Sequence, residues 1–452
     1  MNVDRTILSY KETLKKMERF FSPTYGLANS VKEFSTKDIN VSVDGRSIFV
    51  GNLIPMYNTL VEKTTSSWEG AAVALNREKS KVKAFGEFIE RYCGSCDINI
   101  HEKSMVFDSY DNLKHKGDLC LDLRELIYFE DSLYDDTEFY LSRYFSDSPI
   151  SWIKGTEITS RNEVLVPAQK VFISYPYPVE ELNYLRGIST GLACGGTYSQ
   201  AALSAILEVI ERDSFMLTWL VQIPGIRVEI DNILNADLKK LYKHIQKHLV
   251  GEDKLFVFDI SKTEGVYTIL TFIRNDLCDA FGLIVSAASH FSPEIALLKS
   301  LEELCQVQAF AYFSLVKDKS KKCQGMEKHD INNLREHMLY YSTGRHSSNI
   351  DFINSSKQKV NLSDMKDYSN EDTQKNLDYL IDLFKQKEQS VFIVDITRPE
   401  ICEEGFTVLK AIIPEYIDLD IEYRFKQLKN IRLQRYQKKY AMEINNNPHP
   451  FA

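Results

Sequence analysis

Three segments of this chain carry chemistry-bearing residues at one repeated spacing. In KAFGEFIERY, Lys83, Glu87 and Glu90 stand at i, i+4 and i+7, within a wedge of roughly 60° on a helix turning about 100° per residue. Phe85, Phe88, Ile89 and Tyr92 take most of the remaining circumference. In SAILEVIERD the spacing recurs as Ser204, Glu208 and Glu211, on a helix otherwise built from Leu203, Ile206, Leu207 and Ile210. It recurs again as Lys299, Glu303 and Gln306, among Leu297, Leu298, Leu301 and Leu304. Any one such stripe could be a solvated face, but a solvated helix is polar over a wider arc. Three narrow stripes on three apolar helices predict a shared polar cavity.

Carboxylates gathered in a cavity repel one another, and desolvating each costs several kcal/mol. A divalent cation is the simplest remedy. An all-oxygen ligand set selects Mg2+ or Ca2+ over zinc, and Mg2+ commonly arrives with a phosphate. Arg91 and Arg212 directly follow Glu90 and Glu211 and have the forked geometry that suits phosphate. The pattern points to a nucleotide site made of helix faces. Neither GxxxxGK[ST] nor GxGxxG occurs, and GLACGGT has the glycines but neither spacing. A di-iron bundle would need a Glu-x-x-His pair, yet no acidic residue stands three positions before any of the nine histidines. A glycosidase pair would leave three matching helices unexplained.

The elements that must position these stripes are those of a large globular chain. With 452 residues, 44% hydrophobic and 26% charged, it can bury a real core in one large domain or two ordinary ones. The net charge of -9 argues against nonspecific nucleic-acid binding, which needs a basic surface. The longest apolar run, SFMLTWLVQIPGI, stops at 13 residues, too short for a membrane span. The first residues are charged and periodic, without the apolar stretch of a signal peptide. Eight scattered cysteines read as reduced thiols of a cytoplasmic protein. Cys93 and Cys96 in CGSC lack a second ligand pair at zinc-like spacing, so they read as structural thiols.

Along the chain, residues 7–20 predict an amphipathic helix, and INVSVDGRSIFVGNLI two strands around a D-G turn. Helices follow at 77–93 and from STGLACGGTYS onward, then near 236–250 and at 293–316. Strands are predicted in 119–176, in KLFVFDI, VYTILTFI and GLIVSAAS, and in SVFIVDI and FTVLKAII. Residues 317–378 are rich in Lys, Asn, Ser and Asp and suggest a mobile insertion. The mixture is α/β or α+β, without an internal repeat.

The stripes and their surroundings resemble the YcaO family, whose nucleotide site uses Ser-x-x-x-Glu-x-x-Glu-Arg-type helices. LACGGTYSQAALSAILEVIERD is similar to that family's central segment, AFGEFIERYC to its first helix and ALLKSLEELCQVQ to its third. FIVDITRPEICEEGFTVLKAIIP is similar to a later block, so the resemblance covers residues 65–452, leaving 1–64 as an N-terminal helix and strand segment. It implies an α+β fold, with mixed β-sheets and long helices lining a central nucleotide site. ATP and Mg2+ are the implied cofactors. Glu87, Glu90, Glu208, Glu211 and Glu303 would hold the metal, while Lys83, Arg91, Ser204, Arg212 and Gln306 would contact nucleotide or fix the carboxylates. The chain departs from the family at Lys83, where a serine is common, and at Gln308, where an arginine is frequent.

Azoline-forming members, the cyclodehydratases of thiazole/oxazole-modified peptides such as streptolysin S-type cytolysins, end in Pro-x-Pro-x-Pro. Here the tail at 445–452 has Pro448 and Pro450, with Ala452 in the third place. A proline-rich end is pre-extended and loses little entropy on docking, so a docked tail is expected, with Pro448, Pro450 and the Ala452 carboxylate serving catalysis. The resemblance implies cyclodehydration of Cys, Ser or Thr in a ribosomal precursor peptide. A separate ThiF-like leader-binding partner is implied as well, and an FMN-dependent dehydrogenase could oxidise the products. A YcaO enzyme forming a thioamide or amidine, or a non-catalytic scaffold, are the alternatives. Whether the chain forms a homodimer is left open by its sequence.

Overall fold

The computed structural model describes residues 8–35, 40–43, 46–49, 57–63, 68–95, 105–249, 254–274, 282–317, 326–342 and 344–451. Strands are numbered along the chain. A three-stranded sheet joins β1 (Ser30–Ser35), β4 (Tyr57–Glu62) and β5 (Glu69–Ala74), and β2 (Asn40–Val43) pairs with β3 (Arg46–Phe49). The predicted Asp44-Gly45 turn between β2 and β3 lies outside the described residues. A second sheet runs β13 (Leu283–His290), β12 (Tyr267–Arg274), β11 (Lys254–Asp259), β10 (Ile226–Glu229), β14 (Lys359–Asn361). A third runs β6 (Met105–Ser109), β7 (Pro149–Glu157), β15 (Phe392–Asp395), β16 (Thr407–Ile412), β9 (Leu192–Gly195), with β8 (Asn162–Pro167) also paired to β7. Within these sheets β10 and β14 pair in parallel; the other described pairings are antiparallel. This is an α+β fold.

Three helices bridge the sheets, and each begins where its sequence dictates. The first site helix (Arg77–Gly94) is capped by Asn76, whose Oδ1 accepts the Lys79 N–H at 2.9 Å. The second (Tyr198–Leu220) is capped by Thr197, which accepts from Gln200 N at 3.1 Å. Such caps satisfy main-chain donors that lack an intrahelical partner. The third (Pro293–Lys317) opens on a proline, whose missing N–H costs nothing in the first turn.

Alternation along β12 shows how the second sheet is sandwiched. Ile269 and Ile273 share a buried cluster with Leu297, Leu301 and Leu304 of the third helix. Leu270 and Phe272 join Phe215 and Trp219 of the second helix on the opposite face. Successive strand side chains point to opposite faces, so one strand serves both helices. The first helix lies directly on β5: a Cβ at Gly70 would come within 2.2 Å of Ala84 O.

The division at 64/65 runs between β4 and β5, which pair with Tyr57 opposite Ala74 and Val61 opposite Gly70. The N-terminal segment is therefore part of the wall under the first helix. The polar stretch 317–378 is not a loose insertion in its described part. Ile331, His337, Met338, Tyr341, Ile350 and Ile353 are buried, and β14 completes the second sheet. Its apolar residues are sparse, but they close a shared core with the C-terminal segment. Among the described residues no helix is long and apolar enough to cross a membrane.

Candidate active site

The three helices turn their stripes into one cavity of about 2340 Å3. Lys83, Glu87, Glu90 and Arg91 line it from the first helix, and Ser204, Glu208, Glu211 and Arg212 from the second. Lys299, Glu303 and Gln306 line it from the third.

Four of the glutamates are fixed in the same way, by a main-chain N–H of a neighbouring segment. Glu87 Oε2 accepts from Ala71 N at 2.9 Å, and Glu90 Oε1 from Cys194 N at 2.8 Å. Glu208 Oε2 accepts from Gly191 N at 3.3 Å, and Glu211 Oε2 from Ser289 N at 2.9 Å. Gln306 Nε2 donates to Ala71 O at 3.0 Å, so β5 ties the first and third helices together through one residue. One oxygen of each carboxylate is thus anchored. Arg212 lies between its neighbours, 2.5 Å from Glu211 and 3.6 Å from Glu208.

Burial raises the pKa of Glu90 well above the ordinary carboxylate range, and Glu208 and Glu87 raise it further, against the Cys194 N–H. Glu208, Glu211 and Glu303 are also raised by burial, opposed most strongly in each case by Arg212. Burial lowers Lys299, and the charge of Lys83 lowers it further. The cavity is a desolvated place with more acid than Arg212 alone can balance. Among the described residues no three His, Cys, Asp or Glu side chains form a tight metal cluster; main-chain anchors hold the carboxylates around the cavity walls. The donors are oxygens, the set that favours a hard cation, so the residues present fit Mg2+ carried with a phosphate.

A family model described as YcaO cyclodehydratase, ATP- and Mg2+-binding, matches residues 72–417. The chain belongs to the YcaO family. Among curated proteins, an uncharacterised protein of Methanothermobacter thermautotrophicus is 27% identical over 272 residues, covering 59% of this chain and 65% of that protein. Among solved structures, a heterocyclase in complex with substrate and cofactor has a TM-score of 0.73 at 17% identity, covering 100% of this chain and 58% of that one. YcaO from Methanopyrus kandleri, bound with AMPPCP and Mg2+, has a TM-score of 0.61 at 17% identity, over 92% of this chain and 94% of that one. At these identities the structural likeness is one of fold. The chain spans under two thirds of the length of the curated relative and of the heterocyclase.

Several features of this YcaO chain were not visible in single-helix spacing. Glu302, 1% exposed, takes Lys79 at 2.8 Å and Lys83 at 3.2 Å across the helix interface, so Lys83 reaches the cavity already engaged. Further round the cavity, Arg186 is paired with Glu422, whose Oε1 also accepts from Tyr140 OH at 3.4 Å. Gln308 is not among the lining residues, and its buried Oε1 has no hydrogen-bond partner among the described residues. Cys93 is fully buried, its thiol pushed up to about 12 by burial, and Cys96 lies outside the described residues.

The C-terminal segment is docked. Trp219 Nε1 donates to Asn447 O at 3.1 Å, Tyr341 OH to Pro448 O at 2.5 Å and His337 Nδ1 to His449 O at 2.9 Å. His449 Nε2 donates to Asp420 O at 2.8 Å, and the His337 and His449 rings stack 3.9 Å apart. Pro448 and Pro450 are buried and do not line the cavity. Phe451 packs on Phe215 at 4.7 Å and places its ring 4.5 Å from the Arg212 guanidinium. The tail thus meets the cavity through Arg212. Ala452 lies outside the described residues.

Proposed function

We propose that this chain is an ATP-dependent peptide cyclodehydratase that converts Cys, Ser or Thr residues of a ribosomal precursor peptide to thiazolines or (methyl)oxazolines. The convergence of three anchored acidic stripes on one cavity carries this reading. Small-molecule pockets measure about 300–1,000 Å3, and this cavity, at about 2340 Å3, has room for a nucleotide and a peptide segment together.

In that reaction a side-chain thiol or hydroxyl adds to the preceding backbone carbonyl. The oxygen that becomes anionic is a poor leaving group until it accepts the γ-phosphoryl of ATP. Phosphate then departs, and loss of the amide proton leaves the C=N bond of the azoline. Catalysis of phosphoryl transfer is mostly positioning and charge stabilisation. Mg2+, when bound, neutralises phosphate charge. Glu87, Glu90, Glu208, Glu211 and Glu303 would hold it. Arg91 and Arg212 offer forked donors to phosphate, and Lys83, Ser204 and Gln306 complete the polar lining. Arg212 is held between two carboxylates and the Phe451 ring, so its donors are oriented before substrate arrives.

The partners proposed are a ThiF-like protein that captures the precursor's leader and an FMN-dependent dehydrogenase acting on the azolines. The test is phosphate release in the presence of precursor and partner, coupled to mass spectrometry. Stoichiometric loss of water per phosphate released supports the proposal. Phosphate release that requires sulfide or an amine, with the corresponding mass change, replaces it with thioamide or amidine formation.

A further inference from the structure

Lys410 stands within β16 with its side chain fully buried. Its Nζ donates to two main-chain carbonyls, Ile188 O and Thr190 O, at 2.6 Å each. Asp418, the acid whose charge it feels most, is already paired with Lys170. Burial lowers Lys410 to about 7. Among the described residues no carboxylate pairs with it, and burying an amine that still needs its donors satisfied is costly, whereas an apolar side chain of similar length would fill this place without that cost. Its donors are therefore spent on the two carbonyls.

Both carbonyls belong to the short stretch Gly187–Gly191. Gly187, Ile188, Ser189 and Thr190 line the cavity. At one end a Cβ on Gly187 would come within 1.9 Å of Phe172 O. At the other, Gly191 has φ +82 and donates its N–H to Glu208 Oε2. This stretch has no helix or strand of its own. Main-chain bonds hold its far end, from Ala411 N to Gly191 O at 2.8 Å and from Leu192 N to Ser189 O at 2.9 Å, and the Ile188 and Thr190 carbonyls are held by Lys410.

We infer that Lys410 is a positioning residue: from behind the cavity wall it holds the Ile188 and Thr190 carbonyls and so, together with the Ala411 N–H on Gly191 O, keeps the Gly191 N–H on Glu208. A lysine amine suits the task because even neutral it keeps two N–H donors, enough for two carbonyls at once, and in its charged form the bonds are the stronger, charge-assisted kind. The consequence for nucleotide rests on the cavity being a Mg-ATP site; the consequence for the wall does not.

Two variants separate the parts. Lys410→Met keeps the apolar stem and removes the donors; Lys410→Gln restores a neutral donor. Binding is read with Mg2+ and a fluorescent non-hydrolysable ATP analogue. The wall is read by limited trypsin digestion, following cleavage after Arg186 by mass spectrometry, with thermal melting as the control. Lys410→Met is expected to weaken analogue binding by about tenfold or more, the range for partners that orient metal ligands. Cleavage after Arg186 should quicken, melting should change little, and Lys410→Gln should recover part of both readouts. Parental binding and parental cleavage in Lys410→Met overturn the inference. Equal damage in both variants together with collapse of the melting transition also overturns it, because Lys410 is then a general core element. If the parent protein does not bind the analogue, the nucleotide reading fails. Cleavage then decides alone: faster cut at Arg186 in Lys410→Met upholds the strut, and unchanged cut rejects it.

Discussion

Phe451 offers a quantitative test of how the tail and the cavity communicate. Its ring is 2% exposed, packs on Phe215 and faces the Arg212 guanidinium. Truncating a core phenylalanine to alanine costs about 3–5 kcal/mol. Asn445 and Asn446 hold the start of the tail through Leu220, Trp219, Lys426 and Tyr423. Beyond them, residues 447–449 are tied by four hydrogen bonds, through Trp219, Tyr341, His337 and His449, worth about 1 kcal/mol each, so about 4 in all. The loss in Phe451→Ala is comparable with what remains, so the last residues should detach. Phe451→Leu keeps most of the apolar volume and loses the π face. Its cost is about 2–3 kcal/mol, combining an aromatic pair at about 1 and a desolvated cation–π contact at about 1–2. That tail should stay docked while Arg212 loses its platform. Carboxypeptidase digestion followed by mass spectrometry reports docking, and binding of the Mg2+-loaded ATP analogue reports Arg212. Phe451→Ala should be trimmed rapidly, and Phe451→Leu should resist trimming yet bind the analogue about tenfold more weakly. A Phe451→Ala protein with a protected tail would refute the anchoring argument. Parental affinity in Phe451→Leu would refute the coupling to Arg212.

Other expectations follow from the same geometry. Glu208→Gln and Glu211→Gln should each lower ATP turnover by about 100-fold or more while the melting temperature holds or rises, because removing a buried like charge relieves repulsion; near-normal turnover in both would remove the metal assignment. Burial lowers His337 to about 4 and His449 well below its ordinary value, so both bind protons when unfolded, near pH 6.5, but not when docked. Buried Asp420 is raised to about 7 and opposes them by one proton. With two protons excluded and one retained, the contribution of these three groups to stability should fall by about 1.4 kcal/mol per pH unit as pH drops below about 6 towards about 4, while the raised cavity glutamates act in the opposite sense. His337→Gln should therefore gain on the parent over that range, and a difference in melting temperature between the two that does not change with pH contradicts the assignment. Cys93 should be inert to thiol reagents until the protein unfolds and should hold no zinc; stoichiometric zinc lost in Cys93→Ala would reverse that reading.

The stripes were legible because each lies within a single helix, where a spacing of four and three residues is a direction in space. The first helix, expected at 77–93, spans Arg77–Gly94, and the third, expected at 293–316, spans Pro293–Lys317. What spacing cannot show is which helix faces which. Glu302 sits beside Glu303 in the chain, yet it points to Lys79 and Lys83 rather than joining the acidic stripe. The main-chain anchors were equally hidden, since the N–H groups of Ala71, Cys194, Gly191 and Ser289 leave no mark on residue type. The burial beyond residue 325 was hidden for a related reason. Ile331, His337, Tyr341 and Ile350 have no period among their polar neighbours, and their burial comes from the C-terminal segment that docks on them.

That docking sets an order of events during synthesis. Trp219 holds the carbonyl of Asn447, a residue 228 positions later, and Tyr341 holds that of Pro448, 107 positions later. The acidic stripes on the first and second helices therefore leave the ribosome long before the segment that seats the ring under Arg212. Contacts of such long range form late in folding, and domains assemble as their residues emerge. A half-made chain carries its carboxylates around an unsupported guanidinium. The ring that backs Arg212 is thus among the last parts of the cavity's surroundings to be put in place.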